Sequence, residues 1–254
     1  MNLPEILKHA SDVAFWRTVV PFLRIELDVS VASAIHPAVT SEAERLRSAG
    51  WARLERAIPA SVAKPLADAL RCLHDAHIPT PFLYVFDEPW ALATMLAPTW
   101  TALLGAVPRV LPDVWAWYLT EGRGWTAHRG VEDPATSLVN VWIALSDVGA
   151  ESACMNVVPL GGAKESVALP VPAGSMLAWN AYVLHWGGEM KPGAPPRASL
   201  SFTLDASATP ERTPSFEERV DLVADMLVAY EASANVSGPW LEWARAWRGF
   251  RVRR

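Results

Sequence analysis

The chain has 254 residues, of which 51% are hydrophobic and 19% charged, with a formal net charge of -5. The charged share lies below the roughly one-quarter of ordinary soluble domains, so much of the chain must be buried. The acidic balance excludes a field that draws the whole protein to nucleic acid, and no apolar run approaches the roughly 20 residues of a membrane span.

Cys72 and Cys154 are too few for a disulfide framework and suit a reducing cytosol. The N-terminus lacks the basic-then-apolar pattern of a signal peptide, so the expectation is a cytoplasmic protein without membrane or nucleic-acid partners. The closing Arg-Gly-Phe-Arg-Val-Arg-Arg is read as a solvated basic tail.

In chain order, residues 41–57 open on a Ser–Glu capping pattern and carry apolar residues at helical spacing, which predicts a helix ended by Pro59. Residues 61–76 predict a second amphipathic helix, stopped by Pro79. PFLYVFD at 81–87 reads as a short strand, and 89–104 as a buried helix kinked at Pro98 and closed by Gly105. From about residue 110 the runs VWAWYLT, SLVNVWIAL, SACMNVVPL, SVALPV, SMLAWNAYVLHW and ASLSFTLDA are short and rich in β-branched and aromatic residues. Gly and Pro turns separate them. Helical spacing returns at 215–233 and 239–248. The expected fold is α+β in a single domain. A mainly β core, a sandwich or jelly roll over about 109–205, is flanked by α-helices at about 1–108 and 212–250.

Two histidines stand in this β region, His128 in Trp-Thr-Ala-His-Arg-Gly and His185 in Val-Leu-His-Trp-Gly-Gly, followed by Pro-Arg197-Ala-Ser199. Taken singly, each is more often a hydrogen-bonded core or surface residue than a ligand. Together with VWIALSD, CMNVVP and PAGSMLAWN in the same order, they resemble the phytanoyl-CoA-hydroxylase-like branch of the iron(II)/2-oxoglutarate-dependent oxygenases. That resemblance implies a double-stranded β-helix (a cupin-like jelly roll) with iron(II) on His128 and His185. It also implies 2-oxoglutarate on Arg197 and Ser199, O2 as oxidant and a small-molecule substrate. The chemistry agrees: two imidazoles leave open positions on iron, and a guanidinium pairs a carboxylate in bidentate fashion.

The sequence departs from that pattern at Gly130, where the family carries a metal-binding Asp. Here it is similar to the non-heme iron halogenases of the superfamily. In them the vacated position takes a halide, and a ferryl-chloride species chlorinates an unactivated carbon. The implied cofactor set then includes chloride, which restores the charge lost with Asp.

Two other readings compete. In the first, Glu132 or Asp133 supplies a displaced carboxylate and the enzyme is a hydroxylase. In the second, the chain is a non-catalytic cupin-like binding module. Arg129, Asn140, Trp142 and Trp186 are further pocket candidates, and loops at 80–90, 121–125 and 155–165 are expected to line the pocket. A rival metal pair, His74 and His77 beside Cys72, sits at a helix end. His9 and His36 have no companions, and no phosphate loop, dinucleotide fingerprint or nucleophile elbow is present.

Overall fold

A computed structural model describes residues 9–25, 32–162, 165–229 and 239–251. Its centre is a pair of antiparallel sheets. The larger contains β1 (Trp51–Leu54), β2 (Arg109–Leu119), β3 (Leu138–Ala144), β6 (Met176–Asn180) and β8 (Arg197–Asp205), in the order β1-β6-β3-β8-β2. The smaller has the order β5-β4-β7 and is built from β4 (Met155–Val157), β5 (Val167–Leu169) and β7 (His185–Gly187). Non-sequential neighbours in both sheets mark the crossovers of a jelly roll, as expected.

Strand alternation divides the larger sheet into two faces. Val141, Ile143, Ala178, Leu200 and Phe202 enter a core shared with the helices, whereas Trp142, Leu177 and Trp179 turn towards the smaller sheet. The helices are α1 (Val13–Val19), α2 (Val39–Ala49), α3 (Ala60–Asp75), α4 (Glu88–Leu104), α5 (Phe216–Ala229) and α6 (Pro239–Arg251). Buried residues of α3, α4 and α5, such as Leu70, Trp100 and Val223, line the outer core. A buried ion pair, Arg219 to Asp87 at 2.6 Å, ties α5 to the start of α4.

Three expectations are corrected. The helix expected over 41–57 runs from Val39 and stops at Gly50, a left-handed C-cap at φ 78°. Ser41 does not cap it. Its hydroxyl donates to the Ala38 carbonyl at 3.0 Å. Residues 51–54 are instead β1, whose alternate burial and pairing with β6 extend the larger sheet. Sheet pairing outweighs a helical pattern once a left-handed glycine has broken the chain direction.

The strand expected at 81–87 is a 3-10 helix over Thr80–Val85. Pro81 near its start cannot donate to a ladder, and Phe82, Leu83, Tyr84 and Val85 are all fully buried. Periodicity does not separate a short buried strand from a buried helical turn. Third, SMLAWNAYVLHW is two strands, β6 and β7, lying in different sheets. Between them the Asn180 side chain accepts from Tyr182 N at 2.9 Å and turns the chain.

The other expected helices form, and Gly105 closes α4 in the left-handed conformation at φ 79°. The outer end of the helix expected at 215–233 and the last residues of the basic tail lie outside the described residues. Among the described residues no helix is long and apolar enough to cross a membrane.

Candidate metal centre

His128 and His185 face each other across an isolated antiparallel bridge, each backbone N–H donating to the other's carbonyl at 3.0 Å. Their rings lie 4.3 Å apart, centroid to centroid. The segment carrying His128 is irregular apart from such bridges, so the bridge to β7 is what aims it.

Each ring is oriented by the same local bond. His128 Nδ1 meets the Thr126 carbonyl at 2.7 Å, and His185 Nδ1 meets the Val183 carbonyl at 2.8 Å. A carbonyl only accepts, so Nδ1 carries a proton in both rings and Nε2 is the nitrogen left to bind a metal. Burial lowers the His185 pKa to about 4, with the His128 ring beside it adding to the fall, so His185 is neutral at physiological pH. Two imidazoles that turn the same nitrogen to the cavity, each braced by a backbone oxygen, form a donor pair that fits a divalent metal.

No carboxylate joins them. Among the described residues no group of three His, Cys, Asp or Glu side chains is placed to hold a metal. Glu132 and Asp133 are both exposed, and Asp133 accepts from Ala135 N at 2.9 Å within its own turn. His74 packs its ring on Tyr118 at 5.1 Å, and His77 lies past the helix end at φ 57°, so the rival pair is not assembled as a site. At Gly130 an added Cβ would lie 3.3 Å from the Ala181 carbonyl oxygen and 3.5 Å from Asn140 Nδ2. The place of the missing carboxylate therefore adjoins an amide N–H donor.

A cavity of about 190 Å³ opens beside the histidines. Its wall includes Arg129, Gly130, Asn140, Trp142, Trp186 and Arg197, all singled out from the sequence. Arg129 is held aside, its guanidinium 4.2 Å from the Tyr182 ring centre and bonded to the Tyr182 carbonyl.

Arg197 is 2% exposed. It bonds the Ala153 carbonyl and lies 5.8 Å from the Trp142 ring centre. No carboxylate pairs with it among the described residues, its Nε has no partner, and burial lowers its pKa to about 10. A buried cation without a counter-ion is costly, and an anionic ligand is the chemistry that relieves it. The N–H groups of Trp142 and Trp179 are also buried without acceptors. Ser199 lies on Arg197's face of β8, fully buried with its hydroxyl unpartnered, but it is not part of the cavity wall.

Two glycines make room for the guanidinium. A Cβ on Gly187 would lie 2.7 Å from Gly124 Cα and 3.3 Å from Arg197 Nη1. Gly187→Ala is expected to destabilise the fold by about 1–3 kcal/mol, since a packed backbone must shift. Thermal unfolding checks this, and an unchanged Tm would contradict the close approach.

Sequence reasoning missed part of the wall. Residues 80–90 do not line it; Trp125 and Met155 are the contributions of the expected loops. Asp113, Trp115 and Trp117 on β2, and Ser201 and Thr203 on β8, line it instead. The signal was in the alternation: 113, 115 and 117 share one strand face, as do 197, 201 and 203.

No protein-family model and no curated protein matches the chain. Solved structures do match. SnoN, a non-heme alpha-ketoglutarate-dependent epimerase from nogalamycin biosynthesis, superposes with a TM-score of 0.56 at 23% identity, over 66% of this chain and 82% of SnoN. The carbocyclase SnoK, also non-heme and alpha-ketoglutarate-dependent, gives 0.58 at 15%, over 70% and 88%. The non-heme monooxygenase ThoJ gives 0.58 at 14%, over 76% and 97%. This is the fold of non-heme α-ketoglutarate (2-oxoglutarate) enzymes. SnoN has also been seen with Fe3+ and α-ketoglutarate bound.

Proposed function

We propose that the chain is a non-heme iron(II)/2-oxoglutarate-dependent oxidoreductase that halogenates a carbon of a small molecule. The observation that carries the first part is the pairing of two Nε2 donors with a buried, unpaired Arg197 in one cavity of this fold. His128 and His185 would hold the metal, and Arg197 would take the distal carboxylate of 2-oxoglutarate, whose anionic charge it lacks within the protein. Trp142, whose N–H is buried without an acceptor, offers a donor at the same end. His185 arrives neutral, its pKa lowered by burial to about 4, so its ligation need not displace a proton from Nε2.

Gly130 supports the second part. With no side chain there and no carboxylate grouped with the histidines among the described residues, charge balance calls for an exogenous anion, and Asn140 Nδ2 is the donor next to that space. The bound metal with its co-substrate supplies the oxidising power. The overall reaction is R–H + Cl⁻ + H⁺ + 2-oxoglutarate + O2 → R–Cl + succinate + CO2 + H2O. The chain's own part is to keep water out with its indole wall and to fix the substrate carbon in place.

The test compares chloride binding by the wild type and Gly130→Asp, each loaded with iron(II) and 2-oxoglutarate without oxygen. The wild type should show a saturable chloride-dependent shift of its visible charge-transfer band, and Gly130→Asp should show none. A wild-type band indifferent to chloride would overturn the halogenase reading and leave the hydroxylase. Absence of any band would favour the binding module.

A further inference from the structure

The cavity has a second charged end that the metal and 2-oxoglutarate do not use. We propose that this end binds the cationic head of an amine or quaternary ammonium substrate, with Asp113 as counter-charge and the surrounding indoles as its cage. The inference rests on the reading of this cavity as the reaction site.

Asp113 lies within the register shift in β2 between Val110 and Val114, and it lines the cavity. Its Oδ1 accepts from Trp115 Nε1 at 3.1 Å and its Oδ2 from Thr203 Oγ1 at 2.9 Å. Both donors are neutral, and no cationic side chain pairs with Asp113 among the described residues. Two donors leave further lone pairs on a carboxylate for a ligand. A carboxylate that loses water without gaining a cation is penalised, and one that gains a cation is not.

The surroundings suit a cation with an apolar body. Trp115, Trp117 and Trp125 form one cluster, with centroid distances of 5.9, 4.7 and 5.7 Å. Trp179 and Trp186 complete the wall. Indole faces attract cations and need no hydrogen bond from them. Among the described lining residues the other formal charges are Arg197, at the far end, and Arg129, which is turned onto Tyr182. An anionic substrate would meet Asp113 unfavourably.

Position supports the same assignment. Thr203 pairs with Asn140 across β3 and β8, and its hydroxyl lies 3.1 Å from Asn140 Oδ1. Asn140 in turn adjoins Gly130. Asp113 is thus linked through Thr203 and Asn140 to the metal side of the cavity. Arg197 stands six residues from Thr203 on β8. The cavity thus carries two charges of opposite sign, one suited to a dianionic co-substrate and one to a cationic substrate.

The experiment uses the metal-free full chain and its intrinsic Trp fluorescence. Tetramethylammonium and isopentylamine are titrated against their neutral counterparts, tert-butanol and isopentanol, with sodium chloride as the ionic-strength control. The ammonium ions should bind about tenfold more tightly than the alcohols. Asp113→Asn, which keeps the size and an accepting oxygen, should abolish that preference. Trp117→Leu should weaken ammonium binding without touching Asp113. Equal binding of cation and alcohol, or a preference that survives in Asp113→Asn, would overturn the inference and leave Asp113 a brace for Thr203 and Trp115. The iron(II)/2-oxoglutarate band is recorded on the same preparation. A band without ammonium preference overturns the cation site alone, and a preference without a band overturns the oxidoreductase reading alone.

Discussion

His185→Ala is expected to lower iron(II) affinity by more than about 100-fold, beyond the 10–100-fold cost of losing a supporting partner of a metal ligand. The ring is 4% exposed, and its Nδ1 is committed to the Val183 carbonyl, so its only free nitrogen faces the His128 side of the cavity. His128 alone cannot compensate, because no third ligand is grouped with it among the described residues. The variant also loses ring contact with Trp179, whose centroid lies 4.8 Å from that of His185. Some thermal stability is therefore lost as well, on the order of 2 kcal/mol for a buried ring truncated to alanine. Circular dichroism separates the two effects: the fold should persist while metal uptake, read by equilibrium dialysis, fails. Retained uptake in a folded variant would remove His185 from the site.

Arg197→Met is expected to raise stability and lower co-substrate binding together. Arg197 is a buried cation whose charge no protein carboxylate meets among the described residues, and burial already lowers its pKa to about 10. Replacing it by an unbranched apolar chain removes that penalty, for a gain of about 1–3 kcal/mol, less the bond to the Ala153 carbonyl. The same change deletes the proposed bidentate partner of 2-oxoglutarate. Losing one member of a buried charge pair costs about 2–5 kcal/mol, or roughly 30- to several-thousand-fold in affinity. The two signs are read in one experiment. The metal-free variant should melt above the wild type, and added 2-oxoglutarate should raise the Tm of the wild type alone. A variant that melts lower and still responds to 2-oxoglutarate would show that Arg197 is structural.

The candidate ligands were legible because each carries its chemistry in its own side chain. His128, His185 and Arg197 stand in short phrases whose order survives in the fold, and the structure brings all three to one cavity. The long strands fall inside the range 109–205, with β2 beginning at Arg109 and β8 ending at Asp205, but β1 joins the same sheet from outside it. What was not legible depends on pairing. β1 hides behind a helical pattern because its strand character comes from β6, more than a hundred residues away. Asp113 shows nothing locally. Its role arises only when the shift in β2 sets it against Thr203, whose hydroxyl it binds. The split of SMLAWNAYVLHW between two sheets likewise rests on one turn at Asn180. Ser199 shares the buried face of β8 with Arg197, yet its hydroxyl does not line the cavity.

His128, His185 and Arg197 are proposed to form one site for iron(II) and 2-oxoglutarate. The most direct test adds both, without oxygen, to the purified chain and records the visible metal-to-ligand charge-transfer band. The account predicts a band that needs both components and is absent from His185→Ala, and that needs far more 2-oxoglutarate in Arg197→Met. A folded wild-type chain that gives no band at saturating iron(II) and 2-oxoglutarate would contradict it.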